Sequence, residues 1–423
     1  MSVALSNKIK AFRCITCGTV YHPGEVQYTC PACGHRRGTL EVVYDYDAIR
    51  AGFSKASLAQ DREYTLWRYL PILPIEGRKY IQPLQVGWTP LYRFDRLTER
   101  YGLGTVYIKD DGRNPTASYK DRASAVAVID AQERGQKVVT CASTGNAASS
   151  LAGFAASTDL KTIIFVSSNA PEAKVAQLLV YGAIVFSVNG NYDQAYDLCM
   201  EAAGRYGWYN RNSAINPYLV EGKKTGALEI AEQLNWGIPD RMFVPVGDGS
   251  VVSSVYKGFY DLTRLGFIDE IPRIVGVQAG GANPIAKAFE RFDGNEVIIE
   301  DTTPETVADS ISVGKPRDIV KAVTYVSRSG GTFVSVTDEE ILNAIKDLAR
   351  ATGVFAEPAA AAAYAGFVQL ADAGELGEDE RMVVMITGNG LKDIAAARRA
   401  TGKPYQIAPE INEVEKILDD LDL

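Results

Sequence analysis

The sequence predicts an α/β protein with two covered sheets facing a cleft, preceded by a small cysteine ribbon. Three observations point there. From about residue 105 onward, short β-branched runs alternate with amphipathic segments of helical period. These runs are too many for one compact sheet, and 423 residues exceed what a single core usually covers. Four of the six cysteines also fall in one segment, as Cys14-Ile-Thr-Cys17 and Cys30-Pro-Ala-Cys33.

The ribbon comes first. Its spacing is C-x2-C-x12-C-x2-C, with Gly18 and Gly34 after each pair. Two such knuckles let Cys14, Cys17, Cys30 and Cys33 share one tetrahedral ion, and Zn²⁺ suits four sulfurs. Disulfides are the competing reading, which a reducing compartment disfavours. Residues 1–40 are too few to bury a core without the metal. Cys141 and Cys199 lie in apolar stretches, as ordinary buried thiols do. The only histidines, His22 and His35, lie in or beside the ribbon, which excludes histidine acid–base chemistry elsewhere.

Hydrophobic residues make up 46% and charged residues 23%, as in ordinary globular enzymes. A net charge of −8 argues against non-specific binding to nucleic acid or anionic membrane. Met1–Phe12 does not read as a signal peptide and no run is long enough to span a membrane, so the cytoplasm is the default location. The acidic C-terminal dozen reads as a solvated amphipathic helix.

Residues 41–111 carry a Tyr/Trp-rich stretch and then Gly87-Trp88-Thr89-Pro90-Leu91. The runs at 138–141, 162–166 and 183–187 read as buried parallel strands, and those at 242–246, 274–277, 332–335 and 382–386 continue the alternation. Ala359–Ala363 after Pro358 marks a closely packed helix start. Ligands in such folds gather at the carboxyl ends of strands.

Four motifs sit at such ends or beside them. In Asn114-Pro115-Thr116-Ala117-Ser118-Tyr119-Lys120-Asp121-Arg122, a helix beginning near Ser118 places Lys120 at the positive end of the dipole. That favours a neutral, nucleophilic amine, although a solvated lysine at a helix start has the same pattern. Ala142-Ser143-Thr144-Gly145-Asn146 offers donors for a carboxylate, or is an ordinary capping turn. Gly247-Asp248-Gly249-Ser250-Val251 reads as a phosphate cradle whose Asp248 should point outward. It lacks the third glycine of a dinucleotide fingerprint, and lone G-x-G turns are common. Thr387-Gly388-Asn389-Gly390-Leu391-Lys392-Asp393 puts a neutral hydroxyl at a strand end, where a pyridine nitrogen could be met, or is a loop with no ligand.

Together, in this order, the motifs resemble the pyridoxal-phosphate (PLP) enzymes of fold type II, and among them the threonine synthases. Gly222-Lys223-Lys224-Thr225 and Glu357-Pro358-Ala359 extend the likeness, which runs from about Gly87 to Arg399. The resemblance implies two three-layer αβα sheet domains with the ribbon added: a large PLP-binding domain from 41–111 and 218–423, and a small one from 112–217. It implies a homodimer. It implies that Lys120 carries PLP covalently, that Asn146 meets the cofactor's 3-hydroxyl, that Gly247 to Val251 hold its phosphate, and that Thr387 meets the ring nitrogen. Ser143 and Thr144 would take the substrate carboxylate, with Ser213 and Lys224 also at the substrate.

The activity so implied converts O-phospho-L-homoserine and water to L-threonine and phosphate, with lysine as the multi-step base. Two departures leave room for related lyases. Leu219 stands where the family pattern N-P-x-R-L-E-G-Q-K-T has an arginine that grips the substrate phosphate, and Val86 replaces a common acidic residue. Lys223, Lys224 or Arg113 could compensate for the arginine. A threonine or serine dehydratase, or a β-replacement enzyme such as a cysteate synthase, is the alternative. A ribbon-containing binding protein is a third reading, opposed by the intact lysine, amide and hydroxyl positions.

Overall fold

The computed structural model describes residues 8–170 and 172–421. The first seven residues of the ribbon segment, which belong to the stretch read as lacking a signal peptide, lie outside the described residues. Three sheets organise the chain. The ribbon sheet is antiparallel, with β1 (Ile9–Cys14) between β2 (Val20–Tyr21) and β3 (Leu40–Tyr44). The third strand of this sheet extends to Tyr44.

The strands β4 (Leu91–Arg93) and β5 (Val106–Asp110) join a sheet formed mostly by the second half of the chain. That half supplies β10 (Arg241–Pro245), β11 (Arg273–Ala279), β12 (Thr332–Val336) and β13 (Met382–Ile386), in the order β12-β11-β10-β13-β5-β4. Only β4 runs antiparallel to its neighbour. Between them in sequence, β6 (Val138–Ala142), β7 (Lys161–Ser167), β8 (Ile184–Val188) and β9 (Tyr209–Asn210) form a parallel sheet ordered β8-β7-β6-β9.

Each apolar run predicted as a strand is one, because continuous Val/Ile/Phe segments satisfy sheets covered on both faces. The exception concerns burial. The 183–187 run was expected to be buried, yet Ile184 and Phe186 of β8 are exposed. β8 closes the edge of its sheet and has a neighbour on one side only. The Ala359–Ala363 run opens the Pro358–Asp372 helix and is almost entirely buried, as its small side chains allow. The acidic tail is helical over Ile411–Asp420 and has no buried residue.

One helix contact positions the cleft. The helices Lys120–Glu133 and Tyr218–Lys223 meet at Gly222, where a Cβ would lie 2.3 Å from the Arg122 carbonyl oxygen. Only glycine permits this approach, and it brings Lys120 and Lys223 into one neighbourhood.

The ribbon is docked on the large sheet's helices. Tyr325 donates to Glu41 (2.9 Å), Lys321 to the Leu40 carbonyl (3.0 Å), and Arg36 pairs with Asp301 (2.5 Å). Among the described residues, no helix is long and apolar enough to cross a membrane.

Candidate active site

Lys120 is the first residue of its helix, two beyond the predicted start, because Ser118 pairs instead as a β-bridge with Gly388. The loop before it is held in an unusual shape. Ala117 has φ of 62°, a left-handed conformation costly for a residue with a Cβ. Asp121 stabilises it by accepting from the Thr116 amide (2.6 Å) and hydroxyl (2.5 Å). The Thr387–Gly390 loop laces the same segment: Tyr119 donates to the Thr387 carbonyl (2.8 Å) and Asn389 to the Ala117 carbonyl (3.1 Å). On its other side Glu357 donates its amide to Gly388 (3.0 Å) and Gly390 donates to Phe355 (2.9 Å). Three distant motifs are thereby fixed around one lysine.

Burial pushes the Lys120 amine below the ordinary lysine range; Glu357 opposes this and the Arg211 cation adds to it. Lys120 as a whole residue is partly exposed. The loop before it borders a cavity of about 400 Å³ lined by Thr116, Thr144, Asn146, Ser149, Glu357 and Lys392. Asn146 begins the Asn146–Ala155 helix and donates to Glu357 (2.8 Å). Burial raises the Glu357 carboxyl, against the pull of that hydrogen bond and of Lys120. Ser143 turns its hydroxyl onto its own loop, accepting from the Gly145 amide (3.1 Å), while Thr144 lines the cavity. Thr387 is buried at the carboxyl end of β13.

The glycine loop after β10 leads into the Ser250–Leu265 helix. Gly249 has φ of 95°, and a Cβ there would come within 3.0 Å of the Asp318 carbonyl oxygen; one on Gly247 would be 3.0 Å from Ile311 Cα. The turn thus needs both glycines. Asp248 accepts from the Arg317 amide (3.1 Å), which turns its carboxylate to that neighbour. Lys223 is fully buried and donates to the Ser250 hydroxyl (2.7 Å), with no ion pair among the described residues. Burial, with the cations Lys120 and Arg211, drives its amine well below the lysine range. A buried amine without a carboxylate, set against a helix N-terminus and a glycine turn, calls for an anion. A neutral-leaning amine beside a phosphate seat is what a phosphorylated aldehyde cofactor needs, so these residues fit PLP.

Lys224 was expected at the substrate, but it is fully buried between Glu221 and Asp261 (2.6 Å to the latter), a site it shares with Lys257. Adjacent helical residues face different ways. Lys223 turns to Ser250 of the glycine turn, and Lys224 serves a core network that Tyr44 of β3 joins through Glu221 (2.8 Å). Ser213 is partly exposed in the turn after β9. The residues not foreseen are Arg211, Glu357 as partner of Asn146, and Lys392, which donates to Ser149 (3.0 Å). Arg211 carries no motif; only its burial marks it out.

The ribbon cysteines also converge. All four Sγ atoms lie within 4.8 Å of one another, and Cys17 and Cys30 are 3.8 Å apart. A tetrahedral zinc with bonds of about 2.3 Å separates its sulfurs by about 3.8 Å, so the cluster fits the ion.

The sequence matches the family described as pyridoxal-phosphate dependent enzyme over residues 83–388. It is 44% identical to a threonine synthase of Methanocaldococcus jannaschii, covering 97% of this chain and 99% of that one. A threonine synthase of Methanosarcina acetivorans is 40% identical over 96% of this chain and 98% of its own length. Among solved structures, a diaminopropionate ammonia lyase from Escherichia coli shares the fold, with a TM-score of 0.64, 16% identity, and coverage of 94% of this chain and 98% of that one. Motif order, cleft geometry and identity over nearly the whole length agree: the chain belongs to the threonine synthase family of pyridoxal-phosphate-dependent enzymes.

Proposed function

We propose that this chain converts O-phospho-L-homoserine and water to L-threonine and phosphate. The observation that carries the reading is the meeting at Gly222 of the helix that begins at Lys120 and the helix that ends at Lys223, whose amine donates to Ser250 of the glycine turn (2.7 Å). Bound PLP supplies an electron sink for carbanion chemistry at the substrate's α-carbon.

The chain's own residues do the rest. Lys120 would tether the cofactor, and its Nζ is the group placed to take the substrate's Cα proton and to carry protons in later steps. No other base is suited to several steps, since both histidines lie in the ribbon segment. Asn146 and Thr387 would hold the ring, through its hydroxyl and its nitrogen respectively. The backbone from Gly247 through Asp248 and Gly249 to Val251, with the Ser250 hydroxyl, would hold the cofactor phosphate. The Thr387 hydroxyl, a neutral partner, would meet the ring nitrogen without giving it a charge. Ser143 and Thr144 hold the substrate carboxylate, and Ser213 borders the substrate.

Residues 41–111 and 218–423 form the large domain of a cytoplasmic homodimer, and 112–217 the small one. The four cysteines hold one structural zinc that staples the ribbon to the body. Metal analysis of purified protein should find one zinc per chain, and chelation should lower the melting temperature by several degrees; a metal-free preparation of equal stability refutes the zinc assignment.

The activity is tested by turnover. Purified protein with PLP should release one phosphate per threonine formed from O-phospho-L-homoserine. Formation of 2-oxobutyrate from threonine, with no phosphate released from the phosphorylated substrate, would instead identify a dehydratase.

A further inference from the structure

Arg211 follows β9 directly and its side chain has no solvent exposure. Its Nε donates to the Ser124 hydroxyl (3.1 Å), one turn beyond Lys120 on the same helix face. Both terminal nitrogens, Nη1 and Nη2, are buried without a hydrogen-bond partner, and the guanidinium forms no ion pair among the described residues. The carboxylate of Asp121 is taken by Thr116. A buried guanidinium left uncompensated costs several kcal/mol, so such a group persists where a ligand completes it.

The charges nearby narrow the ligand. Arg211, Lys120 and Lys223 lie within electrostatic reach of one another. Lys223 is already directed at Ser250 on the cofactor-phosphate cradle. Lys120 is the amine for the aldehyde. Of these three, Arg211 is the cation left without a partner, and its two free nitrogens present the planar fork that matches two oxygens of a phosphate. Leu219 is buried and uncharged and contributes nothing of the kind.

We propose that Arg211 grips the phosphate of the substrate, making this residue the determinant that selects a phosphorylated amino acid. This rests on the reading of the chain as an enzyme acting on O-phospho-L-homoserine. The leaving phosphate is thereby held in a desolvated place, where each charge-assisted bond is stronger than in water.

The experiment uses the PLP-loaded full chain and Arg211→Gln and Arg211→Lys variants. Three quantities are measured: cofactor dissociation by visible absorbance, inorganic phosphate binding by equilibrium dialysis, and KM and kcat for O-phospho-L-homoserine. Arg211→Gln should weaken phosphate binding and raise KM by about 100-fold, the loss of two charge-assisted bonds, while cofactor affinity changes less than about threefold. Arg211→Lys, which keeps the charge but not the fork, should lose about tenfold.

Unchanged phosphate binding in Arg211→Gln overturns the proposal, as does a parallel loss of cofactor, which would assign Arg211 to the cofactor's phosphate. Should Arg211→Gln fail to fold, Arg211→Lys decides alone, since wild-type phosphate affinity in that variant also overturns it. A wild-type enzyme that binds phosphate through Arg211 yet does not turn over O-phospho-L-homoserine would sink the substrate assignment and leave the anion site standing.

Discussion

Lys120→Ala should abolish turnover, with kcat reduced by at least about 10³-fold, the scale on which covalent and general-base roles in one residue fail together. The visible absorption of the covalently held cofactor should disappear with it. The fold should survive: Lys120 forms no ion pair among the described residues, and its helix is held by the neighbouring Asp121 and Arg122. Circular dichroism and melting should therefore match the wild type within a few degrees. Borohydride reduction followed by peptide mapping should label Lys120 in the wild type, and a label on Lys223 or Lys392 would displace the assignment. The measurement separates chemistry from stability because the residue beside the reactive amine carries the structural load.

Glu229→Ala should strongly destabilise the fold. Glu229 is fully buried and accepts from Arg122 at Nη1 (2.5 Å) and Nη2 (2.7 Å) and from Lys109 (2.8 Å). Arg122 reaches onward to Asp111 (2.9 Å), Thr225 (2.9 Å) and Thr89 (3.2 Å). Removing the carboxylate leaves two buried cations short of charge, at a cost of about 3–5 kcal/mol. Chemical denaturation measures it, and a loss below 1 kcal/mol would contradict the reading.

The same group gives an acid limb. Burial alone would raise the Glu229 carboxyl, but Arg122 and then Lys109 hold it down to about 2. A carboxyl depressed in the folded state stabilises the protein above its unfolded value near 4.5 and loses that contribution as pH falls toward 2. The full contribution is about 3 kcal/mol. In Glu229→Gln that part of the acid sensitivity between pH 4.5 and 2 should vanish.

This network explains why several motif residues accompany Lys120 without touching the cavity. Thr89, Arg122 and Thr225 stand in three separate motifs, and each serves the Glu229 cluster that anchors the Lys120 helix. The motifs therefore mix chemistry with scaffold, and their pattern alone does not separate the two.

What could be read from the chain is what depends on local order. Strand runs, the two-sheet α/β class, the cysteine spacing and the placing of Lys120 at a helix start all follow from periodicity and neighbouring residues. The tertiary structure alone decided which charges face the cleft. Lys223 and Lys224 are consecutive, yet one meets Ser250 beside the cleft and the other closes a core ion-pair network. Arg211 gains meaning only from burial without a partner, and β8 is exposed because no strand lies beyond it. Burial and ion pairing join residues tens to hundreds of positions apart, and an electrostatic environment of that range is written in no local pattern.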